Sequence, residues 1–268
     1  MKADHTSFRL RSRAARRGWR QKLAIGVLIG AAMAIVAVNA PVLHLLGSRP
    51  IVFFPSKNPR PRVAAVFLSG DMGFGFGMGA DVAEALAARG VPVVGVSSPV
   101  VFASHRTRAQ ARDVVTGAIR FALERTGAQR VVLMGQSYGA DIVAAIAPDL
   151  PRGLLARVAA IDLTVPARDV YFRADPSSIA YLGAPDARPL QAIRALDWAP
   201  VICVYGVKEK DSLCPALRGS GALVQGLPGN HYLRRDSQRL VAATLAALHA
   251  AVPQAGLRAP SISKMTKN

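Results

Sequence analysis

The segment that most constrains this chain is residues 135–139, Gly-Gln-Ser-Tyr-Gly. It follows the apolar run 131–134 and leads into the helix-forming run 140–146. A strand, a tight turn and a helix in this order are typical of a nucleophile elbow, which exposes the central side chain at the strand end. We therefore predict that Ser137 is a nucleophile, the alternative being a serine in a buried turn.

A serine nucleophile requires a base, and after an elbow the acid and then the histidine follow along the chain. His231 lies in a loop directly after the short apolar segment 222–227, where such a base is expected. The other histidines precede Ser137 or, in the case of His249, lie in an alanine-rich helical segment. We predict His231 as the base, the alternative being an ordinary loop histidine.

Three carboxyl groups are candidates for the acid that orients the imidazole. Asp211 comes five residues after the buried strand predicted over 201–206, and we favour it. Glu209 stands between two lysines and is interpreted as a solvated charge. Asp162 follows another predicted strand, 155–161, and stays an alternative.

The oxyanion that forms during acyl transfer needs backbone N–H donors. One is expected from Tyr138, directly after the nucleophile, and a second from the loop after the predicted strand 63–68. That loop contains Asp71 and Met72 between glycines, which let the backbone approach a reacting carbonyl. The chain has no Walker A, H-E-x-x-H or paired C-x-x-C motif, so we predict no metal and no cofactor.

The N-terminus predicts a membrane anchor. Residues 1–22 carry eight Lys or Arg and one Asp, and residues 23–46 are almost wholly apolar. Twenty-four helical residues span about 36 Å, enough for the roughly 30 Å hydrocarbon core. The basic tail should stay in the cytoplasm and place the remainder in the periplasm, held at the inner membrane by a single pass. A cleaved signal that releases a soluble periplasmic domain is the alternative.

The charge points to an anionic partner. The formal net charge is +18, of which the first 22 residues supply +7 (eight minus one) and the rest +11. Anionic phospholipid headgroups beside the anchor are the simplest partner, and we expect no nucleic acid for an exported domain. A generally basic proteome would give the same charge.

Beyond the anchor, residues 47–61 contain four prolines and are predicted to be a linker. Strand and helix patterns then alternate over 62–252, which predicts one α/β domain with a mostly parallel sheet covered by helices on both faces. Residues 164–189 are the only stretch suited to a small cap over the site. Residues 253–268 are predicted to be a disordered basic tail. Cys203 and Cys214 are the only cysteines, and either a disulfide or two separate thiols is compatible with the sequence.

Several segments together resemble the VirJ/AcvB family of exported bacterial virulence proteins, which are of α/β-hydrolase type. They include the motifs Leu-Ser-Gly-Asp, Gly-Gln-Ser-Tyr-Gly-Ala-Asp and Leu-Pro-Gly-Asn-His, and the resemblance is carried by residues 68–71, 83–96, 106–107, 135–141, 203–206, 211–214 and 227–231. The cysteine-bracketed segment is the most specific of these. Two departures from the family pattern occur, after Asp71 and before Arg106.

The resemblance implies hydrolysis of the aminoacyl ester of lysyl-phosphatidylglycerol, with Ser137 as nucleophile, Asp211 as acid and His231 as base. A lysyl ammonium requires a negative partner, for which we select Asp71 and Asp141. Asp141 has the alternative role of capping or packing the elbow helix. Two other functions share these residues: a general esterase or lipase, and a non-catalytic periplasmic binding or secretion-accessory protein.

Overall fold

A computed structural model describes residues 5–253. Seven strands form one sheet in the order β1-β3-β2-β4-β5-β6-β7, parallel throughout except for the antiparallel edge strand β1. The strands are β1 (Ile51–Phe54), β2 (Val63–Leu68), β3 (Val93–Val96), β4 (Arg130–Gln136), β5 (Val158–Thr164), β6 (Val201–Gly206) and β7 (Leu223–Leu227). The helices are α1 (His5–Val38), α2 (Gly79–Ala88), α3 (Ser98–Val101), α4 (Arg108–Thr126), α5 (Tyr138–Ile146), α6 (Arg152–Leu155), α7 (Leu190–Arg194) and α8 (Ser237–Ala251).

The central strands are buried on both faces, which explains their near-continuous apolar sequences. Along β2 the side chains alternate between two cores: Ala64, Val66 and Leu68 enter one, and Val63, Ala65 and Phe67 enter the other. Helices α4, α5 and α7 cover the first core, whereas α2 and α8 cover the second. The predicted α/β sheet with helices on both faces is therefore confirmed.

Part of the predicted linker is a β-strand, which the sequence did not predict because prolines flank it. Ile51–Phe54 forms β1 and pairs with β3, so that Ile51 lies opposite Val96. β1 lacks a parallel partner and is short, and its four residues are flanked by Pro50 and Pro55. The folded unit consequently begins about ten residues earlier than 62, and no free tether of the predicted length separates it from α1.

The N-terminal helix ends before the predicted boundary. α1 stops at Val38, and residues 39–46 form turns instead of a further helical segment. Pro41 lacks an N–H and disfavours helix at the residue before it, and the Asn39 side chain donates to the Ile35 carbonyl (2.8 Å). The apolar window Gln21–Val38 has a mean hydropathy of 2.0 and a length of about 27 Å, which suits a membrane anchor or a signal sequence. The predicted tail beyond residue 253 lies outside the described residues.

Cys203 in β6 and Cys214 form a disulfide, which confirms one of the two states compatible with the sequence. Their Cα atoms are 5.4 Å apart and neither residue is exposed. The bridge closes the loop that follows β6 and ties its far end back to the strand. This loop carries two of the three acid candidates.

We predict that loss of the bridge lowers the free energy of unfolding by about 2–3 kcal/mol, because the closed loop is short and restricts the unfolded chain only moderately. Urea unfolding of the wild type with and without dithiothreitol measures this, and the double variant Cys203→Ala, Cys214→Ala gives the value without a reductant. An unchanged midpoint in both experiments would show that the bridge does not stabilise the domain.

Candidate active site

Ser137 lies in a turn that only small flanking residues permit. Its backbone has φ 52° and ψ −125°, a strained conformation for a residue other than glycine. A Cβ at Gly135 would overlap the backbone of Gly139, and a Cβ at Gly139 would overlap the carbonyl of Leu68. The Ser137 N–H donates to the Thr164 carbonyl (2.8 Å), which fixes the turn to β5. The geometry of a nucleophile elbow predicted from the sequence is present.

The hydroxyl of Ser137 faces an imidazole from a loop 94 residues further along. Ser137 Oγ and His231 Nε2 are 2.7 Å apart, which is a hydrogen-bond distance. The other ring nitrogen, His231 Nδ1, lies 2.5 Å from Glu209 Oε1. The predicted contact between serine and histidine is therefore present, and the three side chains form one hydrogen-bonded chain.

The acid in this chain differs from the prediction. Asp211 is exposed, and its backbone carbonyl, rather than its carboxyl group, is engaged by the Arg168 N–H (3.2 Å). Asp162 lies inside β5, because this strand begins three residues later than predicted. The Asp162 side chain is fully buried, and its Oδ1 accepts a hydrogen bond from the Thr164 hydroxyl (3.4 Å). Glu209, which we interpreted as a solvated charge, is the carboxyl group that reaches His231.

Backbone contacts between the loops after β6 and β7 explain why Glu209 takes this place. The Glu209 N–H donates to the Gly206 carbonyl (2.8 Å), which closes a tight turn at the end of β6. The Lys208 N–H donates to the Gly229 carbonyl (2.8 Å), and a Cβ at Gly206 would overlap the backbone of Asn230. This turn directs residue 209 towards His231. By residue 211 the chain has already turned away towards the disulfide.

Charge around His231 changes its basicity. Burial lowers the pKa of His231, but the hydrogen bond and the charge of Glu209, with the charges of Asp141 and Asp71, outweigh burial and raise the pKa above its usual value. The Glu209 side chain is only 9 % exposed, and its second oxygen, Oε2, has no hydrogen-bond partner among the described residues. Glu209 therefore acts on the imidazole as a poorly solvated, nearby negative charge.

A cavity of about 760 Å³ opens on one side of Ser137 and His231. Asp71 and Asp141, the two residues predicted to bind an ammonium group, both line it and are partly buried. Burial raises the pKa of Asp71, and burial raises the pKa of Asp141 to about 7. Within the described part of the chain, neither forms an ion pair with a Lys or Arg side chain. The alternative role of Asp141 is also visible, because its Oδ1 accepts the Ala167 N–H (2.6 Å).

The predicted cap segment supplies the opposite wall of this cavity. Arg168, Tyr171 and Tyr181 come from residues 164–189 and line the cavity together with Tyr138. The ring of Tyr181 stacks on those of Tyr138 (6.5 Å between centroids) and Tyr171 (5.1 Å). The basic lining residues Arg168, Lys208 and Lys210 are exposed at the mouth. Asp71 and Asp141 thus lie inside the cavity, whereas its exposed lining carries these three basic groups together with the acidic Asp169 and Asp211.

A second cavity of about 530 Å³ lies on the other side of Ser137. The loop after β2 forms it, and Met72 and Phe76 of that loop give it apolar surface. Asp71, Met72, Ser137, His231 and Tyr232 line both cavities, so the two spaces meet at the hydroxyl.

The predicted oxyanion donors lie beside the serine. A Cβ at Gly70 would be 3.7 Å from the Ser137 Cβ, which places the loop containing Asp71 and Met72 against Ser137. Among the described residues, the N–H groups of Tyr138, Asp71 and Met72 donate to no backbone carbonyl. The Asp71 N–H approaches its own carboxylate, so Tyr138 and Met72 have the freer donors. No group of three or more metal-ligating side chains occurs between residues 5 and 253.

The sheet order and the serine elbow after β4 define an α/β-hydrolase fold, and solved structures bear this out. The chain is similar to Est1E from Butyrivibrio proteoclasticus (13% identity, 74% of this chain and 93% of that chain, TM-score 0.53). It is also similar to the esterase domain of a Rhodothermus marinus protein (18% identity, 74% and 90%, TM-score 0.51) and to a thioesterase domain from the curacin biosynthetic pathway (15% identity, 73% and 94%, TM-score 0.52).

The chain belongs to the VirJ family. The family model described as bacterial virulence protein (VirJ) matches residues 62–252, which is nearly the whole folded domain. A comparison with curated proteins finds no match.

We predict that Glu209→Gln lowers the pKa of His231, because the substitution removes the adjacent negative charge while keeping a similar shape. NMR titration of the imidazole resonances measures the shift. Asp211→Asn is the matched control and should leave the titration unchanged. A shift caused by Asp211→Asn but not by Glu209→Gln would restore Asp211 as the partner of His231.

Proposed function

We propose that this protein is a serine ester hydrolase that cleaves the aminoacyl ester of lysyl-phosphatidylglycerol at the periplasmic face of the inner membrane. The observation that carries the proposal is the Ser137–His231–Glu209 chain at the junction of an acidic and a partly apolar cavity. Membership of the VirJ family and the α/β-hydrolase fold support it.

In the proposed reaction Ser137 Oγ attacks the ester carbonyl while His231 Nε2 takes its proton. Glu209 accepts a hydrogen bond from His231 Nδ1–H. This bond fixes the tautomer in which Nε2 is unprotonated, and it stabilises the imidazolium as it forms. The N–H groups of Tyr138 and Met72 or Asp71 stabilise the oxyanion. His231 then gives the proton to the departing glycerol oxygen of phosphatidylglycerol, and water releases the amino acid from Ser137 by the same steps.

The two cavities favour one orientation of this substrate. The aminoacyl part is cationic, and the cavity lined by Asp71 and Asp141 offers carboxyl groups that have no basic partner in the described structure. A bound ammonium would supply the missing positive charge and favour the ionised form of both carboxyl groups. The glycerol and acyl chains then occupy the cavity beside Met72 and Phe76.

Location is part of the proposal. An α1 that remains uncleaved in the inner membrane, with the basic tail in the cytoplasm, exposes the folded domain to lipids of the periplasmic leaflet. Basic groups outnumber acidic ones in the exposed lining of the acidic cavity, which favours an anionic lipid surface over a neutral one. The proposed chemistry needs no metal or cofactor.

We predict that the full-length protein releases lysine from lysyl-phosphatidylglycerol in mixed vesicles, and that Ser137→Ala lowers the rate by at least about 10³-fold. Chromatographic measurement of free lysine tests this, and circular dichroism verifies that the variant is folded. Glu209→Gln should lower the rate strongly, whereas Asp211→Asn should retain most of it.

Two results would contradict this prediction. Undiminished release by Ser137→Ala would exclude the proposed nucleophile. Absence of release by the wild type, together with rapid cleavage of neutral short-chain esters, would indicate a general esterase.

We predict that Asp141→Asn raises the KM for the lysyl ester about tenfold, which corresponds to about 1.4 kcal/mol, and changes kcat little. Asparagine keeps an oxygen that accepts the Ala167 N–H but removes the charge, so the elbow helix should be preserved. The matched control substrate is the same ester with its amino groups acetylated, which removes the positive charge. The KM for this neutral substrate should be the same in Asp141→Asn and in the wild type. Equal effects on both substrates would assign Asp141 a purely structural role.

Comparison of the wild type with Asp141→Asn also gives a test of pH dependence. Because the pKa of Asp141 is about 7, the wild-type carboxyl group is ionised above and neutral below that pH. The KM for the cationic ester should therefore rise as the pH falls through 7 in the wild type. In Asp141→Asn this part of the pH dependence should be absent.

A further inference from the structure

Large apolar side chains are exposed around the entrance of the site. Phe76 (54 % exposed) and Met72 lie on the loop after β2, and Tyr232 (65 %) follows His231. Leu182 (85 %) and Ile179 lie on the cap, in the same short 3-10 helix as Tyr181, which lines the acidic cavity. We call these five side chains the apolar rim. These side chains come from three separate loops. Because they are exposed, they contribute little to the packing of the domain.

The chain leaves α1 beside this rim. The Val38 carbonyl, at the end of the candidate membrane span, accepts a hydrogen bond from Arg173 Nη2 of the cap (3.2 Å). The Leu46 carbonyl lies against Gly73, in the loop between Met72 and Phe76. Pro41, between these two points, is buried. The segment after the span thus contacts both loops that carry most of the rim.

The sheet topology places the site and the anchor at one edge. Parallel strands β2 to β7 end at the edge where Ser137 and His231 lie. β1 runs antiparallel, so its first residue, Ile51, lies opposite the last residue of β3 at this same edge. Only 12 residues, 39–50, connect α1 to β1. The domain is therefore attached to α1 from the side on which the cavities open.

Charge on this side suits a lipid surface. Lys208, Lys210 and Arg168 line the acidic cavity at its mouth, and Arg235 lines the other cavity next to Tyr232. All four are exposed, and none forms an ion pair within residues 21–253. The exposed acidic residues that line the same cavities are Asp81, Asp169 and Asp211, and Asp169 is paired with Arg188, so unpaired cations outnumber unpaired anions. Exposed apolar side chains beside an excess of unpaired cations are typical of surfaces that bind the interface of anionic bilayers.

We propose that the apolar rim docks into the bilayer that holds α1, with the surrounding cations on lipid headgroups. The binding partner of the apolar rim is therefore the membrane, not another protein. This inference rests on α1 remaining as an anchor, and it extends the proposed function, since a docked rim would let a lipid enter the cavities without crossing water. An unanchored hydrolase of free aminoacyl esters would need none of these features.

Depth-dependent quenching tests docking without reference to activity. The full-length protein, with a single added cysteine carrying an NBD fluorophore, is reconstituted in phosphatidylglycerol-containing vesicles with or without doxyl-labelled lipid. Phe76→Cys and Leu182→Cys should lose about half their fluorescence, as expected for groups buried 5–10 Å into the interface. Glu124→Cys is the control, because it lies on α4 close to the start of β4, at the opposite edge of the sheet. Equal quenching at all three positions, or none at 76 and 182, would overturn the proposal.

A second measurement separates docking from chemistry. The double variant Ile179→Ser, Leu182→Ser should release lysine from vesicles about tenfold more slowly, yet cleave a water-soluble lysyl ester at the wild-type rate. Phe121→Ser, which alters an exposed apolar residue on α4, should affect neither substrate. Equal vesicle rates for the double variant and Phe121→Ser would overturn the proposal. If the wild type releases no lysine at all, the proposed function fails, and the quenching result still decides whether the rim docks.

Discussion

The close contact between β4 and α5 is the constraint on which the site depends. Gly135 and Gly139 have no room for a Cβ, and the backbone of Ser137 between them has a positive φ. Such strain persists only where the surrounding structure fixes it, and here β5 accepts the Ser137 N–H while β2 packs against Gly139. The hydroxyl consequently projects beyond the sheet, where residues from the loops after β2, β6 and β7 meet it.

Patterns along the chain predicted most of this arrangement. The strands from β2 to β6 are buried on both faces and therefore have near-continuous apolar sequences. The elbow and its histidine have recognisable positions relative to strand ends. β1 escaped prediction because four apolar residues between prolines resemble a linker. It is stabilised by pairing with β3, which is distant in sequence.

The choice between Glu209 and Asp211 depended on contacts that composition does not show. The two lysines beside Glu209 suggested solvation, but the turn after β6 directs residues 208 and 210 outward and residue 209 inward. The number of residues after the strand end was the useful signal, since a tight turn at Gly206 brings the third following residue, rather than the fifth, to the histidine loop. The disulfide then draws the chain around Asp211 away from the site.

Labelling by a fluorophosphonate probe tests the central claim most directly, because it needs no knowledge of the substrate. Peptide mass spectrometry should find one adduct, on Ser137, that forms much more slowly in His231→Ala and Glu209→Gln and at the wild-type rate in Asp211→Asn. A folded wild-type protein that takes up no probe, or labelling that proceeds equally fast without His231, would contradict a nucleophile activated by this hydrogen-bonded chain.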